Sequence, residues 1–171
     1  MGPLHRVGPE AEVTPDGPEA GATGETIRFY RAVGPNGYLS NLWPCPLRLW
    51  NLPFGSSEHA YQFRKPKDPR VGNWILSAPT PRLAAIAGHH LPVYDVRDDW
   101  AEAKLTFMRE AVDAKFRQNP DLAERLLATG GARLVEESPD AFWGEGRERN
   151  GKNWLGVILM ETRSRIRGAA P

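Results

Sequence analysis

The chain has 171 residues, of which 40% are apolar and 25% are charged, and its formal net charge at pH 7 is +1. This length suits one domain with a sizeable core, and the near-zero charge argues against a strongly basic nucleic-acid coat. No apolar run approaches the roughly 20 residues of a membrane span, and the N-terminus lacks the apolar core of a signal peptide, so no membrane partner is expected.

The N-terminal stretch and the cysteine content set the domain limits and the compartment. Residues 1–25 are mostly Gly, Pro, Ala and Glu and predict a disordered tail, followed by one folded domain over residues 26–168. The one cysteine, Cys45, excludes an intramolecular disulfide and favours a reducing, cytoplasmic location. It lies between two prolines and is expected to be buried. A nucleophilic role is the alternative, although no His lies nearby in sequence.

The opening third of the domain predicts short strands separated by turns. Residues 27–30 suit a strand, Gly34-Pro-Asn-Gly37 predicts a turn, and residues 47–50 alternate like a half-buried strand. Prolines at positions 44, 46 and 53 restrict this part to short or edge strands. We therefore predict an α+β fold, mainly helical, with a small N-terminal layer of short antiparallel strands.

Capping residues and prolines predict the helices. The first should begin at Glu58 with Ser57 as its cap and stop near Lys65, because Pro66 disfavours helical geometry before it. Later helices are predicted to open at Asp68-Pro69, Thr80-Pro81, Asp98 or Asp99, Asn119-Pro120 and Asn153. A short buried strand is expected at Leu134-Val135.

The stretch from Glu58 to Lys65 places a carboxylate, an amide and an amine on one helical face. Glu58, Gln62 and Lys65 have i, i+4 and i+7 spacing. The span is about 10 Å of helix axis, too long for a direct ion pair and long enough to flank a small polar ligand. The alternative is an ordinary helix start, with Glu58 as a solvated partner of the helix dipole.

Three polar clusters carry aromatic residues, at residues 38–43, 56–65 and 140–153. Aromatic faces beside amides and carboxylates suit a ligand with a flat base and a ribose. Core packing of the tryptophans is the alternative. No metal is expected, because the four histidines form no HExxH or Cys/His spacing, and no phosphate-loop or Rossmann glycine pattern is present.

In this order the clusters resemble the NADAR, or YbiA-like, family. The similarity runs through Tyr38–Pro46, Ser56–Gln62 with Lys65, Arg97–Trp100 with Lys104 and Met108, Lys115-Phe116, Leu126–Gly130, Asp140–Gly146 and Gly151–Gly156, and covers about residues 27–167. The resemblance implies hydrolysis of an N-glycosidic bond to ribose, without metal or organic cofactor. It implies as substrate either ADP-ribosylated guanine in nucleic acid or a ribosylated intermediate of riboflavin synthesis. A cognate ADP-ribosyltransferase toxin is the partner that antitoxin members imply.

The resemblance and the chemistry together predict the site residues. Glu58, Lys65 and Asp140 are the candidate catalytic residues. Glu58 would stabilise the ribosyl cation or activate water, and Lys65 would attack C1 of the opened sugar, although a helix C-terminus favours its protonated form. Asp140 is a partner acid, a ribose hydroxyl acceptor or only a turn residue. The candidate substrate-binding residues are Asn41, Ser57, His59, Gln62, Arg97, Trp100, Trp143, Gly144, Gly146 and Asn153.

The chain departs from the family pattern at two places that bear on the site. Pro66 stands where a Phe is usual after the lysine, which affects the helix end and the aim of Lys65. His89 stands where an Arg is usual after Gly88, which removes one expected phosphate contact, since a neutral imidazole replaces it only weakly. A non-catalytic ADP-ribose-binding module is the remaining alternative, and the presence of both Glu58 and Lys65 disfavours it.

Overall fold

The computed structural model describes residues 24–169, and the predicted tail therefore lies almost entirely outside the described residues. Within that range the chain forms six α-helices and four short strands. The strands are β1 (Thr26–Phe29), β2 (Leu47–Leu49), β3 (Leu52–Phe54) and β4 (Arg133–Glu136). The helices are α1 (Ser57–Phe63), α2 (Pro69–Leu76), α3 (Pro81–His89), α4 (Trp100–Gln118), α5 (Pro120–Ala128) and α6 (Trp154–Gly168). The predicted α+β class is confirmed.

The strands pair differently from the predicted antiparallel layer. β2 and β3 form an antiparallel hairpin, whereas β1 pairs in parallel with β4, with Thr26 opposite Arg133. Parallel strands need a long crossover connection, and here the crossover contains the hairpin and five helices. Only local pairing is visible in a sequence pattern, and the partner of β1 lies more than 100 residues away.

Helix α4 is the centre of the core. It packs against α1, α5, α6 and β2, and its inward face buries Phe107, Met108, Val112 and Phe116. Against this face lie the buried apolar residues of the other elements, namely Phe29, Tyr38, Leu39, Cys45, Tyr61, Leu122, Leu126, Leu134, Leu155, Ile158 and Leu159. Cys45 is 4% exposed, as predicted.

Two of the predicted caps are in place, and four act differently. Asp68 and Thr80 accept hydrogen bonds from the first turns of α2 and α3. Helix α1 is capped by Ser56, one residue before the predicted Ser57, because Ser56 has extended geometry and accepts from His59 N. Asp99 precedes α4 without a side-chain capping bond, since its carboxylate pairs with Arg97. Asn119 precedes α5 without a capping bond, because its side chain donates to Pro46 O and Lys115 O.

Asn153 precedes α6 with left-handed backbone geometry (φ 51°, ψ 39°) and makes no capping bond. Its amide instead bridges to β4, accepting from Glu136 N at 2.9 Å and donating to Leu134 O at 2.8 Å. Asn is one of the few residues that tolerates this conformation without a large strain. The side chain thereby joins the loop before α6 to the parallel strand pair.

Within residues 24–169, no helix is both long enough and apolar enough to cross a bilayer.

Candidate active site

A cleft of about 280 Å³ brings together side chains from most of the predicted polar clusters. Its walls come from the segment after β1, residues 40–42, α1, α3, α4, the end of β4 and the loop at residues 138–143. The polar and aromatic residues that line it are Tyr30, Arg31, Ser40, Asn41, Glu58, Tyr61, Gln62, His89, Glu136, Ser138, Asp140 and Trp143.

Glu58 lies in this cleft and is only 8% exposed. The position of Glu58 therefore fits the prediction of a carboxylate within a binding face better than the alternative of a solvated partner of the helix dipole. Gln62 Nε2 donates to Glu58 Oε1 at 2.8 Å, as the i, i+4 spacing allows. Burial raises the pKa of Glu58 above its usual value, while the Gln62 hydrogen bond and the Lys65 cation act in the opposite direction.

Lys65 lies beside the cleft rather than among its lining residues. Helix α1 ends at Phe63, so Lys65 is beyond the helix, and its Nζ donates to Gly88 O at 2.7 Å. Burial lowers the pKa of Lys65, and the nearby Glu58 carboxylate raises it. Gly88 permits this packing, because a Cβ there would collide with the Gln62 side chain.

Asn41 is fixed by a network that starts at the buried Lys115. Lys115 Nζ donates to Tyr38 O at 2.6 Å and to Ser40 O at 2.8 Å, which holds the turn before Asn41. Ser57 Oγ then donates to Asn41 Oδ1 at 3.0 Å. The structure thus places Asn41 in the cleft, and it places Ser57 behind Asn41 as a support.

Asp140 and Trp143 line the cleft from the long loop. Asp140 Oδ1 accepts from Phe142 N at 2.7 Å and from Trp143 N at 3.0 Å, so it is a turn residue that also faces the cleft. The Trp143 ring stands edge-on to Tyr61, with ring centroids 5.4 Å apart. Its partner Tyr61 was not among the predicted site residues.

Three of the predicted binding residues lie away from the cleft lining. His59 is held by Ser56 Oγ at Nδ1 and by Ala78 O at Nε2, which consolidates the start of α1. Trp100 packs behind Tyr61, with ring centroids 5.1 Å apart. Arg97 pairs with Asp99 in a separate, more open groove.

Gly144, Gly146 and Asn153 shape the loop and are absent from the cleft lining. A Cβ on Gly144 would approach Glu136 O at 2.6 Å, and Gly146 has a φ of +70° that favours glycine. Asn153 makes the two bonds to β4 described above. These positions need glycine or a residue that tolerates left-handed backbone geometry. A sequence pattern does not distinguish this packing requirement from contact with a ligand.

The structure adds Arg31, Tyr61, His89 and Glu136 to the cleft. Glu136 immediately follows two apolar strand residues. A polar residue at the end of a buried strand could have indicated this site residue from the sequence. Arg31 has a left-handed φ of 57°, uncommon for a non-glycine residue. Burial lowers the pKa of His89, and the Lys65 cation lowers it further. Among the described residues, no group of three or more His, Cys, Asp or Glu is arranged to hold a metal ion.

The comparisons with known proteins identify the family of the chain. A family profile described as the NADAR domain matches residues 28–167. The chain belongs to the NADAR family. It is 40% identical over 146 residues to an N-glycosidase of Nostoc punctiforme, covering 83% of this chain and 93% of that protein. It is 36% identical over 141 residues to the N-glycosidase YbiA of Escherichia coli K12, covering 82% of this chain and 88% of that protein.

Two further relatives add fold and context. The NMR structure of E. coli YbiA superposes with a TM-score of 0.75 at 36% identity, covering 84% of this chain and 85% of that one. A riboflavin biosynthesis protein of Vibrio vulnificus is 38% identical over 148 residues, covering 86% of this chain. The matched region is 40% of the Vibrio protein, so this NADAR chain corresponds to one part of that relative.

Proposed function

We propose that this NADAR protein removes ADP-ribose from ADP-ribosylated guanine by hydrolysing the ribosyl C–N bond. Membership of the family makes the chain an N-glycosyl hydrolase. The observation that carries the proposal is the position of Glu58, a nearly buried carboxylate that opens into one cleft together with two carboxamides and three aromatic rings.

The cleft supplies the groups that this reaction needs. Breaking a ribosyl C–N bond builds positive charge on C1 of the sugar, and a carboxylate beside C1 stabilises that charge or takes a proton from the attacking water. Glu58 performs this task. Asn41 and Gln62 orient the ribose hydroxyls, and Asp140, whose Oδ1 is held by two backbone amides, accepts from a ribose hydroxyl through Oδ2.

The aromatic residues favour a substrate with a flat base. Tyr61 and Trp143 contact each other and line the same cleft, so Tyr61, only 6% exposed, supports Trp143, whose partly exposed ring offers a surface for guanine. A volume of about 280 Å³ is near the lower end for ligand pockets, which commonly hold roughly 300–1,000 Å³. The cleft therefore encloses the reacting ribose and part of the base, while the diphosphate and the distal nucleoside extend beyond the mouth.

A ribosylated intermediate of riboflavin synthesis is the second candidate substrate. The riboflavin biosynthesis protein of Vibrio vulnificus supports it, and so does a chloroplastic one of Zea mays that is 36% identical over 161 residues. The bond type and the role of Glu58 are the same for both substrates. A non-catalytic ADP-ribose-binding module is the third reading. A cytoplasmic location and a cognate ADP-ribosyltransferase toxin remain predictions.

One assay separates these readings. The protein is incubated with an oligonucleotide that carries ADP-ribosylated guanine and, separately, with ribosylated riboflavin precursors, and the products are followed by chromatography. We expect free ADP-ribose and unmodified guanine from the first. If ribose 5-phosphate is released from the riboflavin precursors and no ADP-ribose is released from the oligonucleotide, the substrate is a riboflavin intermediate instead. Tight ADP-ribose binding without turnover of either would support the binding module.

The Glu58→Gln variant tests the mechanism. The amide retains the size of the side chain and cannot accept the proton, so we expect kcat to fall at least about 100-fold with the fold intact. Glu124→Gln is the matched control, because Glu124 is exposed on α5 and far from the cleft lining. A Glu58→Gln protein with the wild-type rate would remove Glu58 from the mechanism.

A further inference from the structure

Glu136 occupies a rigid position at the end of β4, where it enters the cleft from a different element than Glu58. Its backbone N–H donates to Asn153 Oδ1 and its carbonyl accepts from Glu145 N, both at 2.9 Å. Neighbouring residues along a strand point to opposite faces. Glu137 accordingly faces away from the cleft and pairs with Arg28 at 3.5 Å, whereas the Glu136 side chain lines the cleft.

Glu136 and Glu58 differ in the charged groups that surround their carboxylates. Glu58 has the Gln62 hydrogen bond and the Lys65 cation to favour its ionised form. Within residues 24–169, the Glu136 carboxylate makes no ion pair and no hydrogen bond to a charged side chain. Two acids that line the same cleft, Glu58 on α1 and Asp140 on the loop, both disfavour a further negative charge on Glu136.

The other titratable groups of the cleft do not compensate. Arg31, beside the end of β1, is exposed at the mouth, and burial lowers the pKa of His89 at the end of α3, so that it is neutral at pH 7. Burial, together with the Glu58 and Asp140 carboxylates, raises the pKa of Glu136 to about 8, although the neutral Ser138 hydroxyl acts in the opposite direction. A carboxylic acid that keeps its proton at neutral pH beside one that is easier to ionise is the arrangement of an acid and base pair.

We propose that Glu136 is the general acid of the reaction, and this inference rests on the N-glycosidase function proposed above. As the C1–N bond breaks, its electron pair passes to the departing nitrogen, which takes the proton of the Glu136 carboxyl. Water adds its oxygen to C1 and gives its proton to the Glu58 carboxylate. Glu58 then releases that proton, and Glu136 regains one from solvent, so both groups return to their starting states.

The test compares pH–rate profiles of Glu136→Gln and Glu137→Gln with that of the wild type. In the wild type, kcat should rise with pH as the base ionises and fall again as the acid loses its proton. Glu136→Gln should lower kcat about 10²- to 10⁴-fold, leave KM within about threefold and abolish the alkaline fall. Glu136→Asp should retain the alkaline fall at a reduced rate. Glu137→Gln, on the opposite face, should keep the wild-type profile.

The possible failures are distinguishable. If the wild type turns over the substrate and Glu136→Gln keeps the alkaline fall in kcat, Glu136 is not the general acid. The N-glycosidase function is then unaffected. No turnover of any ribosyl N-glycoside by the wild type would overturn that function and this inference with it. If Glu136→Gln does not fold, the carboxyl ¹³C signal of Glu136 in the wild type, identified with Glu136→Asp, decides the matter. An acid that keeps its proton should titrate above pH 6, and titration near pH 4 would contradict the proposal.

Discussion

At the scale of single residues, the chemistry of Lys65 depends on where α1 ends. Helix α1 stops at Phe63, and the Lys65 amine donates to Gly88 O in the last turn of α3, a helix C-terminus that also favours a cation. Burial nevertheless lowers its pKa, although Glu58 opposes this effect. Its amine therefore becomes neutral at a lower pH than that of an exposed lysine, which makes attack on a sugar carbonyl easier.

We predict that borohydride traps a sugar adduct on Lys65 during turnover. After water has released the sugar, its ring-opened aldehyde condenses at C1 with the Lys65 amine and loses water to form an imine, which borohydride reduces to a stable amine. Intact-mass spectrometry should show the added mass in the wild type, with a yield that increases with pH as the amine loses its proton. The adduct should be absent from Lys65→Ala and present in Lys67→Ala, since Lys67 is exposed and pairs with Asp98. An adduct that persists in Lys65→Ala would exclude this residue.

At the scale of elements, α6 is positioned by its close approach to β4. Gly156 lies in the first turn of α6, where a Cβ would collide with Leu134 O and with the Asn153 side chain. The same Asn153 side chain hydrogen-bonds the backbone on both sides of Val135. The helix, the strand and the end of the long loop are thus a single packed unit that fixes Glu136.

Gly156→Ala should therefore destabilise the protein. Neither the strand carbonyl nor the bonded amide can move without breaking the strand pair, and overpacking of this kind costs about 3 kcal/mol or more. The free energy of unfolding is measured by urea denaturation. Gly168→Ala is the matched control on the same helix, because a Cβ there meets nothing within 4 Å, and its effect should stay below about 1 kcal/mol. Equal stability of the two variants would contradict this account.

The elements also show what the sequence determines locally. Asp68-Pro69 and Thr80-Pro81 each mark a helix start, because a cap and a proline at the first position act within one turn. At Asn119-Pro120 only the proline acts in this way, since Asn119 makes no side-chain capping bond. Glu58 and Gln62 could be assigned to one face from their spacing, which is also local. The sequence could not predict the pairing of β1 with β4 or the position of Glu136 in the cleft, since both depend on contacts between distant segments. Similarly, the sequence does not show that Arg97 and His59 point away from the cleft.

At the scale of the whole molecule, a nearly neutral protein concentrates carboxylates in one cleft. The formal net charge is +1, yet Glu58, Glu136 and Asp140 all line the same cavity. Burial raises the pKa of Glu58 and that of Glu136, the latter to about 8. Ionising buried acids beside one another opposes folding, so the active cleft makes the fold sensitive to pH.

We predict that this sensitivity is measurable through Glu136. Its pKa is raised above the unfolded value of 4.5, so its stabilising contribution is complete below about pH 4.5 and is lost as the pH rises towards 8. Relative to Glu136→Gln, the wild type should lose up to about 1.4 kcal/mol of unfolding free energy per pH unit within this window. Urea denaturation between about pH 5 and pH 7.5 measures the difference. A plot of unfolding free energy against pH for Glu137→Gln should run parallel to that of the wild type. If the plot for Glu136→Gln also runs parallel to the wild type, the prediction is contradicted.

The parallel pairing of β1 with β4 also governs when the protein becomes active during its synthesis. The ribosome releases Ile27 and Phe29 more than a hundred residues before their strand partners Leu134 and Glu136. Until then β1 has no neighbour, and contacts between such distant segments form slowly. The wall of the cleft that Glu136 forms therefore closes only after β4 has emerged, and a nascent chain that stops before β4 lacks the Glu136 side of the cleft.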